Sequence, residues 1–127
     1  MTVLTGVEDL APRKKVVHGY ERAYRMAGRG PDLAVLAVLR GEDGYGYDVL
    51  RRLRVAGLQE VGDASVYGTL RRLYKAGLLT SYVVPSEEGP HRKYYSLNEP
   101  GRQRLDESGQ TWRTFASTMN SLLGEAA

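Results

Sequence analysis

The sequence predicts a mainly helical α+β fold in which three helices, a two-stranded β-hairpin and a long fourth helix follow one another. Four segments after residue 32 repeat apolar residues at helical spacing. Between the third and fourth segments, two runs rich in β-branched and aromatic residues flank a loop with two prolines and a glycine, which is typical of a hairpin. With 127 residues, the chain has the length of one domain and a tail.

Residues 1–32 are expected to form an N-terminal basic arm ahead of that domain. Four apolar and aromatic residues share one helical face, which predicts a short helix over residues 14–27. The sequence AGRGPD then interrupts this helix with two glycines and a proline. The basic residues of the arm are Arg13, Lys14, Lys15, Arg22, Arg25 and Arg29.

The first two helices are separated by a short glycine-rich segment. Asp32 ahead of LAVLAVLR predicts an N-capped and almost wholly apolar first helix. The segment GEDGYG predicts a turn, and YDVLRRLRVAGL predicts an amphipathic second helix. We expect this helix to bury Val49, Leu50 and Leu53 and to leave Arg51, Arg52 and Arg54 mainly in solvent.

The third helix is predicted from Val66, Leu70 and Leu73, which recur at spacings of four and three residues. Its start offers two side-chain oxygens, so either Asp63 or Ser65 caps it. Gly77 stands where the C-terminal stop is expected. The strands LTSYVV and RKYYSL follow, joined by PSEEGPH.

The fourth helix carries a heptad-like apolar stripe after Asn98, its expected cap. Such a stripe either packs on its own domain or meets a partner helix. Because three helices and a hairpin already close so short a domain, self-association is favoured. The stripe consists of Gly101, Leu105, Ser108, Trp112, Phe115, Met119 and Leu122.

This order of elements is that of a winged helix-turn-helix, in which the third helix enters the major groove of DNA. The outward face of that helix combines cations with small polar residues, and a second basic cluster lies at the hairpin, which would be the wing. A basic pair on one helix is often only solvated, but two clusters on two elements favour DNA. The candidate DNA-binding residues are Ser65, Tyr67, Gly68, Thr69, Arg71, Arg72, Lys75, His91, Arg92 and Lys93.

Three motifs carry a resemblance to the PadR family of bacterial winged helix-turn-helix regulators. They are Gly46-Tyr47-Asp48 in GYGYDVLRRL, the third-helix sequence SVYGTLRRLYKAGLL, and the wing sequence GPHRKYYSLNEPGRQRL. The sequence departs from the family pattern at three positions. Gly68 stands where proline is common, Asn98 stands where threonine is common, and Pro100 is unusual in the turn that follows.

The resemblance implies a homodimeric repressor that binds a palindromic operator and dimerises through a single C-terminal helix. The dimerisation residues would be Leu105, Trp112, Phe115, Met119 and Leu122. Some family members stack flat aromatic effectors on a residue like Trp112, so Trp112, Phe115 and Met119 are candidate effector-binding residues, with simple packing as the alternative. The expected division is an arm at 1–32, a winged helix DNA-binding domain at 33–97 and a dimerisation helix at 98–127.

Other classes of function fit the sequence poorly. The chain has no cysteine and two histidines without nearby partners at ligand spacing, so we expect no metal site and no cofactor. No nucleophile elbow or phosphate-binding loop suggests an enzyme. No apolar run reaches the length of a membrane span and no signal peptide is recognisable, so we expect a cytoplasmic protein. The remaining alternative is a winged helix that binds another protein rather than DNA.

Overall fold

Four helices and three short strands make up residues 31–124, the part of the chain that the computed structural model describes. The predicted arm and its short helix over 14–27 lie outside the described residues, apart from Pro31 and Asp32. In chain order the elements are α1 (Asp32–Gly41), β1 (Gly44–Tyr45), α2 (Gly46–Val55), α3 (Asp63–Lys75), β2 (Leu79–Val84), β3 (Arg92–Leu97) and α4 (Glu99–Leu122).

The sheet is antiparallel with the strand order β1-β3-β2. The predicted hairpin of β2 and β3 is confirmed, and its register places Tyr82 opposite Tyr94. The prediction of a plain turn at GEDGYG was wrong in part, because Gly44 and Tyr45 pair with Tyr95 and Tyr94 as a third strand. A strand of two residues has no periodicity of its own, and it exists only because the chain brings β3 beside it.

The hydrophobic core lies between the first three helices, the inner face of the sheet and the start of α4. All six residues predicted to face inward on the second and third helices are buried. Their neighbours come from α1, the strands and α4. These neighbours include Val35, Leu36, Leu39, Leu78, Leu79, Tyr95, Leu97 and Leu105.

Arg52 corrects the prediction of a solvated basic face on α2. Its guanidinium is half-buried and donates hydrogen bonds to the carbonyl oxygens of Val38, Glu42 and Asp43 at 3.1–3.2 Å. It also forms an ion pair with Asp48, one turn earlier in α2, at 3.2 Å. Arg52 therefore provides hydrogen-bond donors for carbonyl oxygens at the C-terminal end of α1 and in the connection to β1, which is a structural role.

The N-caps predicted for α1 and α3 were wrong, whereas the N-cap predicted for α4 and the glycine predicted at the end of α3 are confirmed. Pro31 and Gly62 occupy the N-cap positions of α1 and α3 without side-chain caps, so Asp32 and Asp63 lie in the first turns, where their charge favours the helix dipole. Asn98 caps α4 as predicted, because its Oδ1 accepts a hydrogen bond from the Gly101 amide at 2.9 Å. Gly77 ends the turn after α3 with φ of 82°, which favours glycine.

Helix α4 begins against its own domain and then continues beyond it. Gly101 lies against the carbonyl group of Leu78, where a Cβ would overlap the carbonyl oxygen. Leu105, one turn further on, is part of the core. The prediction of Leu105 as a dimerisation residue was therefore wrong, since the first part of the stripe packs on α1 and the end of the hairpin. From Ser108 onward no residue of α4 is fully buried.

Candidate nucleic-acid interface

The outer face of α3 is open to solvent along its length. Val66, Leu70 and Leu73 anchor the helix in the core. Opposite them, Ser65, Arg71 and Lys75 are exposed, and Gly68 is half-exposed. Gly68 lies in the middle of this 13-residue helix, and a Cβ there would meet only the Arg71 guanidinium, at 3.9 Å. The glycine thus leaves a bare patch of helix backbone on the exposed face.

Thr69 does not belong to this face. Its side chain is 2 % exposed and lies on the core side of α3, between Val66 and Leu73 on the helix surface. The prediction of Thr69 as a DNA-binding residue was wrong because a flanking position on a helical wheel becomes buried when neighbouring elements, here α1 and α2, pack closely.

The two arginines of α3 have different environments. Arg72 forms an ion pair with Asp32, the first residue of α1, and the side chains are 55 % and 14 % exposed respectively. Arg71, by contrast, makes no hydrogen bond and no ion pair to any residue between 31 and 124. Within residues 31–124, Arg71 is therefore the arginine of α3 whose donors have no partner, whereas Arg72 connects α3 to the N-terminal end of α1.

Tyr67 connects α3 to the start of α2. Its ring occupies the space beside Gly46, where a Cβ would overlap three of the ring carbons. The ring still keeps 39 % of its surface exposed, so its outer edge belongs to the open face.

The wing, which comprises β2, β3 and the loop between them, carries its two cations over aromatic rings. The Arg92 guanidinium lies 4.5 Å from the centroid of the Tyr45 ring. The Lys93 ammonium lies 5.2 Å from the centroid of the Tyr74 ring and 5.6 Å from that of Tyr95. Both cations are exposed, and cation–π attraction holds them near the sheet. His91 is exposed in the preceding loop, as are Glu87 and Glu88.

The open face of α3 and the wing border one depression of about 240 Å³. Its wall includes Tyr67 from α3 and both cations of the wing, Arg92 and Lys93. Tyr67, at the edge of the open face of α3, is thus a neighbour of the wing cations, whereas Arg71, Arg72 and Lys75 do not line this depression. The full lining is Tyr45, Gly46, Tyr47, Tyr67, Arg92, Lys93 and Tyr95.

A cluster of tyrosines supports the wing on the face that carries Arg92. The rings of Tyr82 and Tyr94 stack at 5.6 Å, and Tyr45 packs edge-on against Tyr94 at 5.2 Å. Tyr82 donates a hydrogen bond to Oδ2 of Asp43 at 2.6 Å, which joins β2 to the segment between α1 and β1. This hydrogen bond raises the pKa of the Tyr82 phenol, and the negative charge of Asp43 acts in the same direction.

The comparison with protein families decides which family this chain belongs to. The model of the transcriptional regulator PadR-like family matches residues 35–107, which is more than half of the chain. This protein belongs to the PadR-like family. The family resemblance, the winged helix-turn-helix fold and the role of transcriptional regulator are confirmed. Because the family consists of regulators, the prediction that the chain is not an enzyme is confirmed as well.

Two solved PadR-like structures share the fold along most of their length, and a third shares it along less than half of its own length. A PadR-like transcriptional regulator from Bacillus cereus is 32 % identical, with a TM-score of 0.66, and the match covers 75 % of this chain and 92 % of that one. A PadR family regulator from Clostridium difficile is 30 % identical, with a TM-score of 0.66 and coverage of 73 % and 97 %. Bacillus subtilis PadR, solved in complex with operator DNA, is 23 % identical, with a TM-score of 0.55 and coverage of 60 % and 44 %.

The distal half of α4 in this PadR-like protein carries apolar side chains without a matching surface among residues 31–124. Trp112 and Phe115 contact each other, with ring centroids 6.0 Å apart, and both are half-buried, as is Met119. Leu122 and Leu123 are 74 % and 65 % exposed. Among the predicted effector residues, Phe115 borders a depression that is wide open and otherwise lined by polar residues of α4.

Residues 31–124 contain no group of three or more His, Asp or Glu side chains placed to hold a metal ion. No helix in this range is long and apolar enough to cross a membrane.

Several residues that shape this interface were not predicted from the sequence. Asp32 was assigned only as a cap, and Asp43, Tyr45, Tyr74 and Tyr82 were not singled out. The tyrosines of the wing had one detectable signal, because Tyr82, Tyr94 and Tyr95 lie in two segments whose β-branched and aromatic residues predict strands. The partners of Asp32 and Asp43 lie about 40 residues away in sequence, and local patterns do not reveal such contacts.

Proposed function

We propose that this PadR-like regulator binds duplex operator DNA as a homodimer, with α3 in the major groove and the wing along the phosphate backbone. The observation that carries the proposal is that Tyr67, on the open side of α3, borders the same depression as the two wing cations. One chain offers few cations to the duplex. A second copy doubles the number of contacts with DNA and the number of reading helices.

Helix α3 reads the operator through the residues of its open face. Arg71 is the principal reader, because its guanidinium has no partner among residues 31–124 and suits the paired acceptors of guanine. Gly68 lets bases or sugars approach the helix backbone, Ser65 contacts phosphate or a base edge, and Lys75 contacts phosphate. We assign Arg72 to the support of α3, since Asp32 already engages it.

The wing and Tyr67 fix the register of the protein on the duplex. Arg92 and Lys93 contact phosphates, because aromatic rings beneath them leave their donors directed outward. His91 precedes them at the same end of the strand and extends this contact, while the phenol of Tyr67 completes it from α3. The operator complex of Bacillus subtilis PadR supports DNA as the partner, because that protein has the same fold.

The distal part of α4 forms the dimer. Trp112, Phe115, Met119 and Leu122 lie on one side of the helix and leave apolar surface that a second α4 would bury. A two-fold dimer presents its reading helices to a palindromic operator, with half-sites about one helical turn apart. We propose repression as the outcome, because a dimer seated on promoter DNA excludes RNA polymerase. The chromosome as partner places the protein in the cytoplasm.

The same stripe provides a place for an effector. Trp112 and Phe115 offer two aromatic faces 6.0 Å apart, and a second copy would enclose them together with Met119. A flat aromatic molecule bound between the copies would shift the two α4 helices and thereby the spacing of the reading helices. Quenching of the fluorescence of Trp112, the only tryptophan of the chain, measures such binding directly.

Binding to DNA over a series of salt concentrations tests the proposal. Fragments of the promoter of its own gene and a shuffled duplex of the same length are titrated with the full chain. We expect affinity to fall steeply with salt and the promoter to bind more tightly than the shuffled duplex. No binding to either duplex at low salt would refute DNA recognition and favour a winged helix that binds another protein.

A further inference from the structure

The carboxylate of Asp32 pairs with one of the three cations of α3. Oδ1 of Asp32 accepts a hydrogen bond from Nη2 of Arg72, although the two residues are 40 positions apart in sequence. The other two cations of this helix, Arg71 and Lys75, form no ion pair within residues 31–124. Arg72 is therefore the cation of α3 that already has an anionic partner inside the domain.

Arg72 lies at the edge of the helix face that the proposed function places on DNA. Its side chain is 55 % exposed. It follows Gly68 by four residues and precedes Lys75 by three, so it lies about 40° and 60° around the helix from these two residues. A side chain as long as arginine reaches the phosphates that border a duplex in contact with Gly68 and Lys75. The position of Arg72 therefore suits a phosphate contact, and Asp32 occupies the group that would make it.

The contact engages Arg72 only in part, so a phosphate can compete with it. A guanidinium has five N–H donors, whereas this contact joins one nitrogen with one carboxylate oxygen. It lacks the second, parallel hydrogen bond that strengthens a bidentate arginine–carboxylate pair. Asp32 itself is held in place, because it lies in the first turn of α1 and its side chain is 14 % exposed. The domain thus carries a fixed anion that competes with DNA for a mobile cation.

We infer that Asp32 is an intramolecular counterion that holds Arg72 back from DNA phosphates and so limits the sequence-independent affinity of the protein. This inference rests on the proposed DNA-binding function. A phosphate contact carries no sequence information, so release of Arg72 strengthens binding to every duplex by about the same factor. Such a gain would retard a regulator on the many non-operator sites of a chromosome. Asp32 thereby leaves the choice of sequence to Arg71 and the open face around it.

Variants of the full chain at the two paired residues test this inference. Asp32→Asn removes the carboxylate and keeps a side chain of the same shape, and Asp32→Ser removes the same charge with a smaller side chain. Arg72→Gln and the double variant with Asp32→Asn show whether a change acts through Arg72. Asp106→Asn is the matched control, because this aspartate is exposed on α4 and forms no ion pair within residues 31–124.

Fluorescence anisotropy with a promoter duplex and a shuffled duplex gives the slope of log K against log salt concentration for each variant. Melting curves establish that the variants are folded. Asp32→Asn should raise the magnitude of the slope by about 0.9, the contribution of one phosphate contact, and tighten binding to both duplexes about three- to tenfold at low salt. Arg72→Gln should lower the slope by less than half as much, and the double variant should match Arg72→Gln.

Three results would overturn the inference while DNA binding stands. The first is an unchanged slope in both Asp32→Asn and Asp32→Ser. The second is the same gain in the double variant or in Asp106→Asn, because the charge of Asp32 would then act without Arg72. The third is a gain confined to the promoter duplex, because Arg72 would then read a base. Failure of the parent protein itself to bind either duplex would instead reject the proposed function.

Discussion

The ring of Tyr67 in α3 fills the space beside Gly46 at the start of α2, so the first residue of α2 packs directly against a side chain of α3. Both residues belong to motifs that suggested the family from sequence. Their contact explains why a glycine opens α2, because any side chain there would displace the tyrosine from the open face of α3.

Substitution Gly46→Ala should destabilise the domain. The added methyl group overlaps the Tyr67 ring, and overpacking of this kind costs about 1–3 kcal/mol. For a domain of this size, each kcal/mol corresponds to a drop of about 4–8 °C in Tm, measured by circular dichroism. Gly41→Ala is the control, since no atom lies within 4 Å of its Cβ position. Equal melting temperatures for the two variants would contradict the assigned contact.

Substitution Gly68→Ala should separate stability from DNA binding. The Cβ position at Gly68 is open, so alanine should stabilise α3 by up to about 1 kcal/mol through its higher helix propensity. If DNA approaches this backbone closely, the same methyl group should weaken operator binding about tenfold, or about 1.4 kcal/mol. A variant that is more stable and binds equally well would show that the duplex does not touch Gly68.

Arg71→Ala and Arg72→Ala should differ in what they impair. If Arg71 reads a base as proposed, Arg71→Ala should cost about 1–3 kcal/mol on the operator and much less on a shuffled duplex. Arg72→Ala should cost less on the operator and should show coupling to Asp32→Asn in unfolding experiments, although an exposed ion pair contributes only about 0–1 kcal/mol. The reverse ranking on the operator would make Arg72 the reading residue.

Substitution Leu122→Asp should convert the dimer into monomers. The side chain is 74 % exposed in one chain, so the folded domain tolerates a carboxylate there, whereas a buried dimer seam does not. Light scattering measures the mass. Ser117→Asp is the matched control, because this exposed residue lies roughly opposite the stripe on α4. Dimers of both variants would place the interface on another surface.

The hydrogen bond from Tyr82 to Asp43 should appear in a pH titration. Because the folded protein raises the pKa of Tyr82 above the ordinary value of about 10, the bond stabilises the fold fully below that pH. Its contribution is lost as the pH rises through the raised pKa of the folded state. Ultraviolet difference spectra against Tyr82→Phe report the phenolate. In Asp43→Asn the pKa should fall back, and no change in that variant would exclude Asp43 as the cause.

Prediction from sequence succeeded where local periodicity decides the structure. The helices α2 and α3, the hairpin and the Asn98 cap follow from spacings and residue types within a few positions. β1 was missed because Gly44 and Tyr45 form a strand only when β3 lies beside them. Asp32 was predicted as the cap of α1, and either Asp63 or Ser65 as the cap of α3, because their side chains suit that role, but the N-cap residues are Pro31 and Gly62.

The site was harder to predict because tertiary contacts decide which of the candidate side chains stay exposed. Thr69 and Arg52 flank the faces of their helices, and neighbouring elements decided that both are covered. Leu105 continues the stripe of Trp112 without a break in spacing, yet α1 covers it in the same chain. Likewise, Arg71 and Arg72 are equivalent in sequence, and only the position of Asp32 distinguishes them.

The contact of Gly101 with the Leu78 carbonyl holds the start of α4 against the domain, so a tilt of the helix would pivot about this contact. The helix has 24 residues and a length of about 36 Å, so a tilt of about 5° about this contact moves its far end by about 3 Å. In a dimer joined at the far ends, the same tilt changes the distance between the two reading helices. In the proposed dimer, the fit to one half-site spacing would thus be set where helix and domain touch, far from any base.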